Sequence, residues 1–164
     1  MVDIQKEIEK KFPNMNKKEN FLKKSLFKIA KKIVHEDSIN QFLTQNSHLK
    51  GFEFVDAVLD YFDFDYAVSS NDLQNIPTSG KVVIIANHPL GGLDALCLLR
   101  LIGQIRKDVK IVANDFLAGF DALNSLIITI DNYKLKQSKS DIKKIYEALN
   151  NEEALIIFPA GEVS

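Results

Sequence analysis

Lys81-Val82-Val83-Ile84-Ile85-Ala86-Asn87-His88-Pro89-Leu90-Gly91-Gly92-Leu93-Asp94-Ala95-Leu96-Cys97-Leu98-Leu99-Arg100-Leu101-Ile102 decides how the whole chain is read. Its first part is a short β-branched apolar run, which reads as a fully buried strand. Its last part, from Ala95, reads as a largely buried helix. Between them lies a polar turn with two glycines, which let the backbone bend back. Open α/β folds bind their ligands at such turns, outside the carboxyl ends of the strands. His88 and Asp94 place an imidazole and a carboxylate at the two ends of this turn, and that pairing can act as an oriented general base.

Working outward toward the C-terminus, strands and helices alternate. Val109–Ala113 reads as a strand, Asp115–Leu123 as a short helix and Ser125–Ile130 as a strand. A polar loop follows over 132–139, and Ser138 with Asp141 forms a capping box for a helix running to Leu149. Ala154–Phe158 is a continuous apolar strand whose two faces both expect cover. The turn after it, 159–164, falls on the same rim as the His88 turn. Toward the N-terminus, Asn71-Asp72 and Pro77–Gly80 read as turns, and Phe64–Val68 as a strand. Phe52, Val55, Leu59 and Phe62 mark a helix starting near Gly51. The expected fold class is α/β, a mostly parallel sheet with flanking helices preceded by an N-terminal helical segment. The expected division is a helical region over 1–63, basic then acidic, and an α/β domain over 64–164.

Length and composition fit an ordinary globular domain: 164 residues, 46% apolar, net charge −1. A near-neutral chain gives no reason to expect nucleic-acid binding. The single Cys97 forms no internal disulfide and reads as a small core residue. His35 and His48 lack spaced partners, so no metal site is expected. No signal peptide is expected at the charged N-terminus, and no apolar run is long enough to span a bilayer. The charge is unevenly spread, however. Residues 1–34 hold ten lysines against four acids, whereas 35–80 hold Lys50 against eight acids. Within the basic part, Phe21, Leu22, Leu26, Ile29, Ile33 and Val34 fall at helical spacing. This basic amphipathic helix has two readings: an interfacial helix drawn to anionic lipid, or an ordinary helix packed by its apolar stripe.

Asn87–Asp94 and Phe158–Ser164 together resemble the first and third motifs of the glycerolipid acyltransferase superfamily, the group of 1-acylglycerol-3-phosphate acyltransferases. The variants are most similar to the hemolysin-like and ornithine-lipid-type branch, and the resemblance covers about Tyr66 to Ser164. It implies transfer of a fatty acyl group from an acyl-carrier-protein or coenzyme A thioester to a hydroxyl or amine of a lipid precursor. No cofactor is implied beyond that co-substrate. The resemblance also implies His88 and Asp94 as catalytic residues, and Asn87, Gly91, Gly92, Pro159, Gly161 and Glu162 as substrate-binding ones. Three departures stand out. Five residues separate His88 from Asp94 where the superfamily has four. Ala160 and Val163 replace the usual acid and arginine of the third motif, with an acid at Glu162 instead. Asn132 follows the third strand where the second motif has a phosphate-binding arginine, which argues against a lysophosphatidic-acid acceptor held by a bidentate clamp.

In physical terms, His88 removes a proton from the attacking hydroxyl or amine, being the side chain type that titrates nearest neutrality. Asp94 orients the imidazole and stabilises its cation. Backbone N–H groups near Gly91-Gly92 or Gly161 hold the oxyanion or a phosphate. A bacterial enzyme at the cytoplasmic face of the cell membrane, attached peripherally through its basic helix, is the expected setting. The resemblance also leads one to expect that the chain stops short of a complete sheet, leaving the 154–158 strand at an unpaired edge. Two other classes compete: an impaired fragment that keeps only membrane or partner binding, and a nucleotide-binding module. The turn lacks both the Lys-Ser/Thr pair and the GxGxxG spacing that the latter needs.

Overall fold

A computed structural model describes residues 36–113, 120–130 and 139–159. The basic helix expected over 17–34, His35, most of the helix expected over 115–123, Asn132, Ser138, Ala160, Gly161, Glu162 and Val163 lie outside the described residues. The chain divides into two compact units, 1–48 and 49–164. In the first, the described element is α1 (Glu36–Gln45). Its end is closed by Thr44 Oγ1 donating to the Asn40 carbonyl at 2.8 Å and Asn46 Nδ2 donating to Phe42 at 2.9 Å. His48 is exposed.

The second unit holds the helices α2 (Phe52–Tyr61), α3 (Ser70–Gln74), α4 (Gly92–Ile105) and α5 (Lys139–Asn150). Its strands are β1 (Val82–Ile85), β2 (Val109–Ala113), β3 (Ile127–Thr129) and β4 (Ala154–Ile157), with a 3-10 turn at Asp121–Leu123. The strands form one sheet in the order β1-β4-β2-β3, every neighbouring pair parallel. This is the α/β class expected from the alternation of strands and helices.

β4 is the centre of the sheet, not its edge. It pairs Ala154–Ile157 with Val82–Ile85 on one side and Ala154–Ile156 with Val109–Ile111 on the other. Ala154, Leu155 and Ile156 are all 0% exposed. The run is apolar on both faces because both faces are covered. Leu155 and Ile157 join Val112 and Ile128 under Ile145, Ala148 and Leu149 of α5. The alternate residues Val109, Ile111 and Ile156 are buried on the opposite face, where α4 crosses β2.

The edge is β1, and there the expectation of a fully buried strand fails. Val83 and Ile85 are 43% and 69% exposed, while Val82 and Ile84 are half-buried. α5 crosses β3 and β4 and leaves the outward residues of β1 in the open. A short apolar run cannot reveal which of its faces will find a neighbour.

Two other segments depart from expectation. Phe64–Val68 forms no strand. The Phe64 N–H is turned back onto the Leu59 carbonyl at 2.9 Å, and the Tyr66 N–H is taken by the Asp65 carboxylate at 2.8 Å. Such local bonds compete directly with strand pairing. The Asn71-Asp72 turn is instead the body of α3, whose Ser69 Oγ accepts the Asp72 N–H at 3.1 Å. Ser69-x-x-Asp72 was a capping signature in plain view.

α2 lies on α4. Gly51, at φ 57°, caps α2 and donates its N–H to the Ala122 carbonyl at 2.7 Å. Phe54, Val55 and Leu59 are buried. A side chain at Gly103 would collide with the Phe52 ring, so the glycine lets the two helices approach. Arg100 of α4 reaches Asp56 at 3.0 Å and Asp60 at 3.9 Å on α2, and Lys107 Nζ sits 4.7 Å from the Phe52 ring centre.

At the amino ends of the strands Arg106 is buried, 4% exposed. Its fork binds Asp108 twice, Nε–Oδ1 at 2.7 Å and Nη2–Oδ2 at 2.8 Å. The remaining donors reach the carbonyls of Pro77, Gly80 and Glu152 at 3.2, 2.8 and 2.8 Å. One guanidinium thereby ties the segments entering β1, β2 and β4. The hydrogen bonds to Asp108 raise the Arg106 pKa and hold the Asp108 carboxyl below the usual carboxylate range.

Candidate functional site

At the carboxyl ends of the strands, β1 and β4 continue side by side beyond their last regular pair. The Ala86 N–H still donates to the Ile157 carbonyl at 3.3 Å. Two residues further on, the side chains of His88 and Phe158 meet. Their rings stack with centroids 4.4 Å apart and planes 22° from parallel.

The chain then turns into α4. The Gly91 N–H donates to the His88 carbonyl at 3.1 Å, closing a tight turn over Pro89-Leu90. Gly91 is buried and is the N-cap of α4, at φ 69° and ψ −122°. That backbone is open to glycine and strained for any other residue. Asp94, in the first turn of α4, folds back so that Oδ2 accepts the Leu90 N–H at 2.7 Å. A charge-assisted bond of this length fastens the turn to the helix. The extra residue between His88 and Asp94 is thus absorbed in a turn bonded at both ends.

The expected site residues other than Gly161 and Glu162, which lie outside the described residues, can now be placed. His88 and Asp94 belong to this one turn, and Asn87, Gly91 and Gly92 belong to it too. Pro159 sits in the adjacent turn after β4 and is exposed, as are Asn87 and Gly92. A Cβ at Gly92 would meet nothing within 4 Å. The first N–H groups of α4 have no acceptor inside the helix and carry its positive dipole end. The Gly91 N–H itself is already used by His88.

The imidazole is the anomaly. His88 Nε2 is buried and, among the described residues, has no hydrogen-bond partner. Asp94 Oδ2 accepts from Leu90, on its own turn. Buried polar atoms are rarely left unpaired, because the lost hydration is not replaced.

Cys97 lies one turn along α4 from Asp94. It is half-buried rather than enclosed in the core. Burial pushes its thiol pKa up, and the Asp94 charge pushes it further the same way. The thiol therefore stays protonated and is no nucleophile at neutral pH. The Tyr66 phenol beside it is also raised, chiefly by burial and against the pull of Arg100. Among the described residues no three His, Cys, Asp or Glu side chains come together as metal ligands. No helix among them is long and apolar enough to cross a membrane.

Sequence reasoning passed over two residues. Phe158 was read as the end of a strand, though parallel strands entering one rim bring their following residues together. Arg106 drew no notice, though it and Arg100 are the only arginines in a lysine-rich chain. A planar fork is needed where several carbonyls and a carboxylate converge.

A family model described as acyltransferase matches residues 7–164. The chain is 32% identical to a lyso-glycine lipid O-acyltransferase of Bacteroides thetaiotaomicron, over 98% of the chain and 57% of that protein. It is 31% identical to a lyso-glycine lipid O-acyltransferase of Phocaeicola vulgatus, over 98% of the chain and 56% of that protein. The chain thus spans little more than half the length of the curated relatives it matches. No solved structure matches it.

Proposed function

The chain belongs to the acyltransferase family, and from that premise we propose that its protein transfers a fatty acyl group from a thioester to the free hydroxyl of a lyso-lipid. The observation that carries this reading is the buried Nε2 of His88 at the carboxyl rim of the sheet, without a hydrogen-bond partner among the described residues. A substrate hydroxyl supplies the missing hydrogen bond. His88 then takes the hydroxyl proton as the oxygen attacks the thioester carbonyl, and the thiol of the carrier leaves. Asp94 fixes the turn that carries the base and places negative charge near the imidazolium formed in that step. The first-turn N–H groups of α4, beginning at Gly92, face the developing oxyanion. Asn87 and Pro159, both exposed, border the opening. Leu90, 58% exposed at the tip of the turn, adds an apolar border that suits a lipid.

The relatives' names point to oxygen, rather than nitrogen, as the acceptor atom. Both arginines of this chain are committed elsewhere, Arg100 to α2 and Arg106 to the opposite rim. This favours an acceptor without a phosphate clamp. The donor is an acyl-carrier-protein or coenzyme A thioester, and the reaction belongs to membrane-lipid biosynthesis. The lipid is met at the cytoplasmic face of the membrane, where the lysines of 17–34 attract anionic headgroups.

The purified protein, given an acyl thioester and a lyso-lipid with one free hydroxyl, should form the diacyl product. Running acyl carrier protein against coenzyme A thioesters, and lyso-glycine lipid against lysophosphatidic acid, identifies both substrates. Turnover of lysophosphatidic acid in preference to the phosphate-free acceptor would contradict the proposed specificity.

A further inference from the structure

We infer that Phe158 is the positioning residue for the His88 imidazole, its ring setting the plane in which the base presents Nε2. The inference rests on the reading of His88 as the base. A catalytic imidazole is ordinarily oriented by a carboxylate on one of its nitrogens. Here the nearest carboxylate in sequence is occupied, since Asp94 Oδ2 holds the Leu90 N–H at 2.7 Å. Nε2 has no partner at all among the described residues. What touches the ring is the face of Phe158, 4.4 Å away and 22° from parallel.

The support comes from the most deeply buried part of the molecule. Phe158 directly follows β4, whose first three residues are fully enclosed and paired on both sides. The bond from the Ala86 N–H to the Ile157 carbonyl carries the β1–β4 register up to the residues that stack. The plane of the base is therefore referred to the central strand, in addition to the bonded turn that bears it. A flat π-face also suits the chemistry. As the imidazole gains a proton, its positive charge develops over the negative face of the phenyl ring.

Phe158→Leu keeps an apolar side chain and removes the flat face; Phe158→Tyr keeps the face. In the purified protein, Phe158→Leu should lower kcat by roughly 10- to 10²-fold, as expected for a misplaced base, with KM within about twofold of the parent. Phe158→Tyr should restore most of the rate. In NMR spectra the His88 ring protons should lie upfield of those of the exposed His48. They should move downfield in Phe158→Leu and stay in Phe158→Tyr. An unchanged kcat in Phe158→Leu, or His88 resonances coincident with those of His48 in the parent protein, overturns the positioning role. The second result needs no variant to fold. If the parent protein itself acylates no lyso-lipid, the fault lies in the reading of the function, which the stacking signals leave untouched.

Discussion

The two rims of the parallel sheet treat a buried cationic or basic side chain in opposite ways. At the amino rim, Arg106 places every arm of its fork on an oxygen, two of them on Asp108 and the others on three carbonyls. At the carboxyl rim, the buried Nε2 of His88 has no partner among the described residues. A saturated network contributes to stability and has nothing left to offer a ligand. An unpaired atom lowers stability and keeps its hydrogen-bonding capacity for something that arrives later. The contrast separates a rim of this sheet that is closed by its own hydrogen bonds from one that keeps a polar atom open to a ligand.

The comparison breaks most directly at Arg106. Arg106→Ala leaves Asp108 without its partner and three carbonyls without a donor. It should cost about 2–4 kcal/mol of unfolding free energy, chiefly because three carbonyls lose their donor; the half-exposed Asp108 adds little. Urea denaturation measures this, and a loss below about 1 kcal/mol would mean the network is not what binds the three strands at that rim. Next comes His88→Ala, which should reduce acyl transfer by about 10²-fold or more. Its urea midpoint should stay close to the parent's, since no hydrogen bond of Nε2 is lost. An equal loss of stability at both rims would erase the distinction.

The glycine caps sharpen the comparison further. Gly51 and Gly91 start α2 and α4 in nearly the same conformation, φ 57° and 69° with ψ −128° and −122°. Gly51→Ala and Gly91→Ala should each cost about 1–3 kcal/mol of backbone strain. Only Gly91→Ala should also lower turnover measured on folded protein, because it displaces the turn between His88 and Asp94. The smallest effect belongs to pH. The Asp108 carboxyl is held below its ordinary range, so its contribution to stability is complete above about pH 4. That contribution fades as the pH falls through the lowered value. Because the Asp108 side chain is 46% exposed, solvent screens the pair and the change is modest. Denaturation midpoints at pH 5 and pH 3 should converge on those of Asp108→Asn at the lower pH, and a constant gap between the two proteins would refute the linkage.

The sequence by itself determined the alternation of strands and helices, and with it the α/β class. Local patterning is enough for that: Val82–Ile85, Val109–Ala113 and Ala154–Ile157 are short β-branched or apolar runs between turns and helices, and each forms a strand. It also placed the glycine turn at the carboxyl rim of the sheet, because a turn from a parallel strand into the following helix has one place in such a fold. Tertiary structure alone decided the rest. Strand order is a matter of long-range pairing, so nothing in Ala154–Ile157 announces that it will be central, or in Val82–Ile85 that it will be the edge. Phe64–Val68 has strand composition, but its amides found nearer acceptors. His88 and Phe158 are seventy positions apart, and only the parallel register of β1 with β4 lays one ring on the other. Even over the six positions from His88 to Asp94, the sequence does not tell that the Asp94 carboxylate closes the turn and that Nε2 finds no partner among the described residues. Hydrogen-bond partners are assigned by geometry in space, and a sequence lists only the candidates.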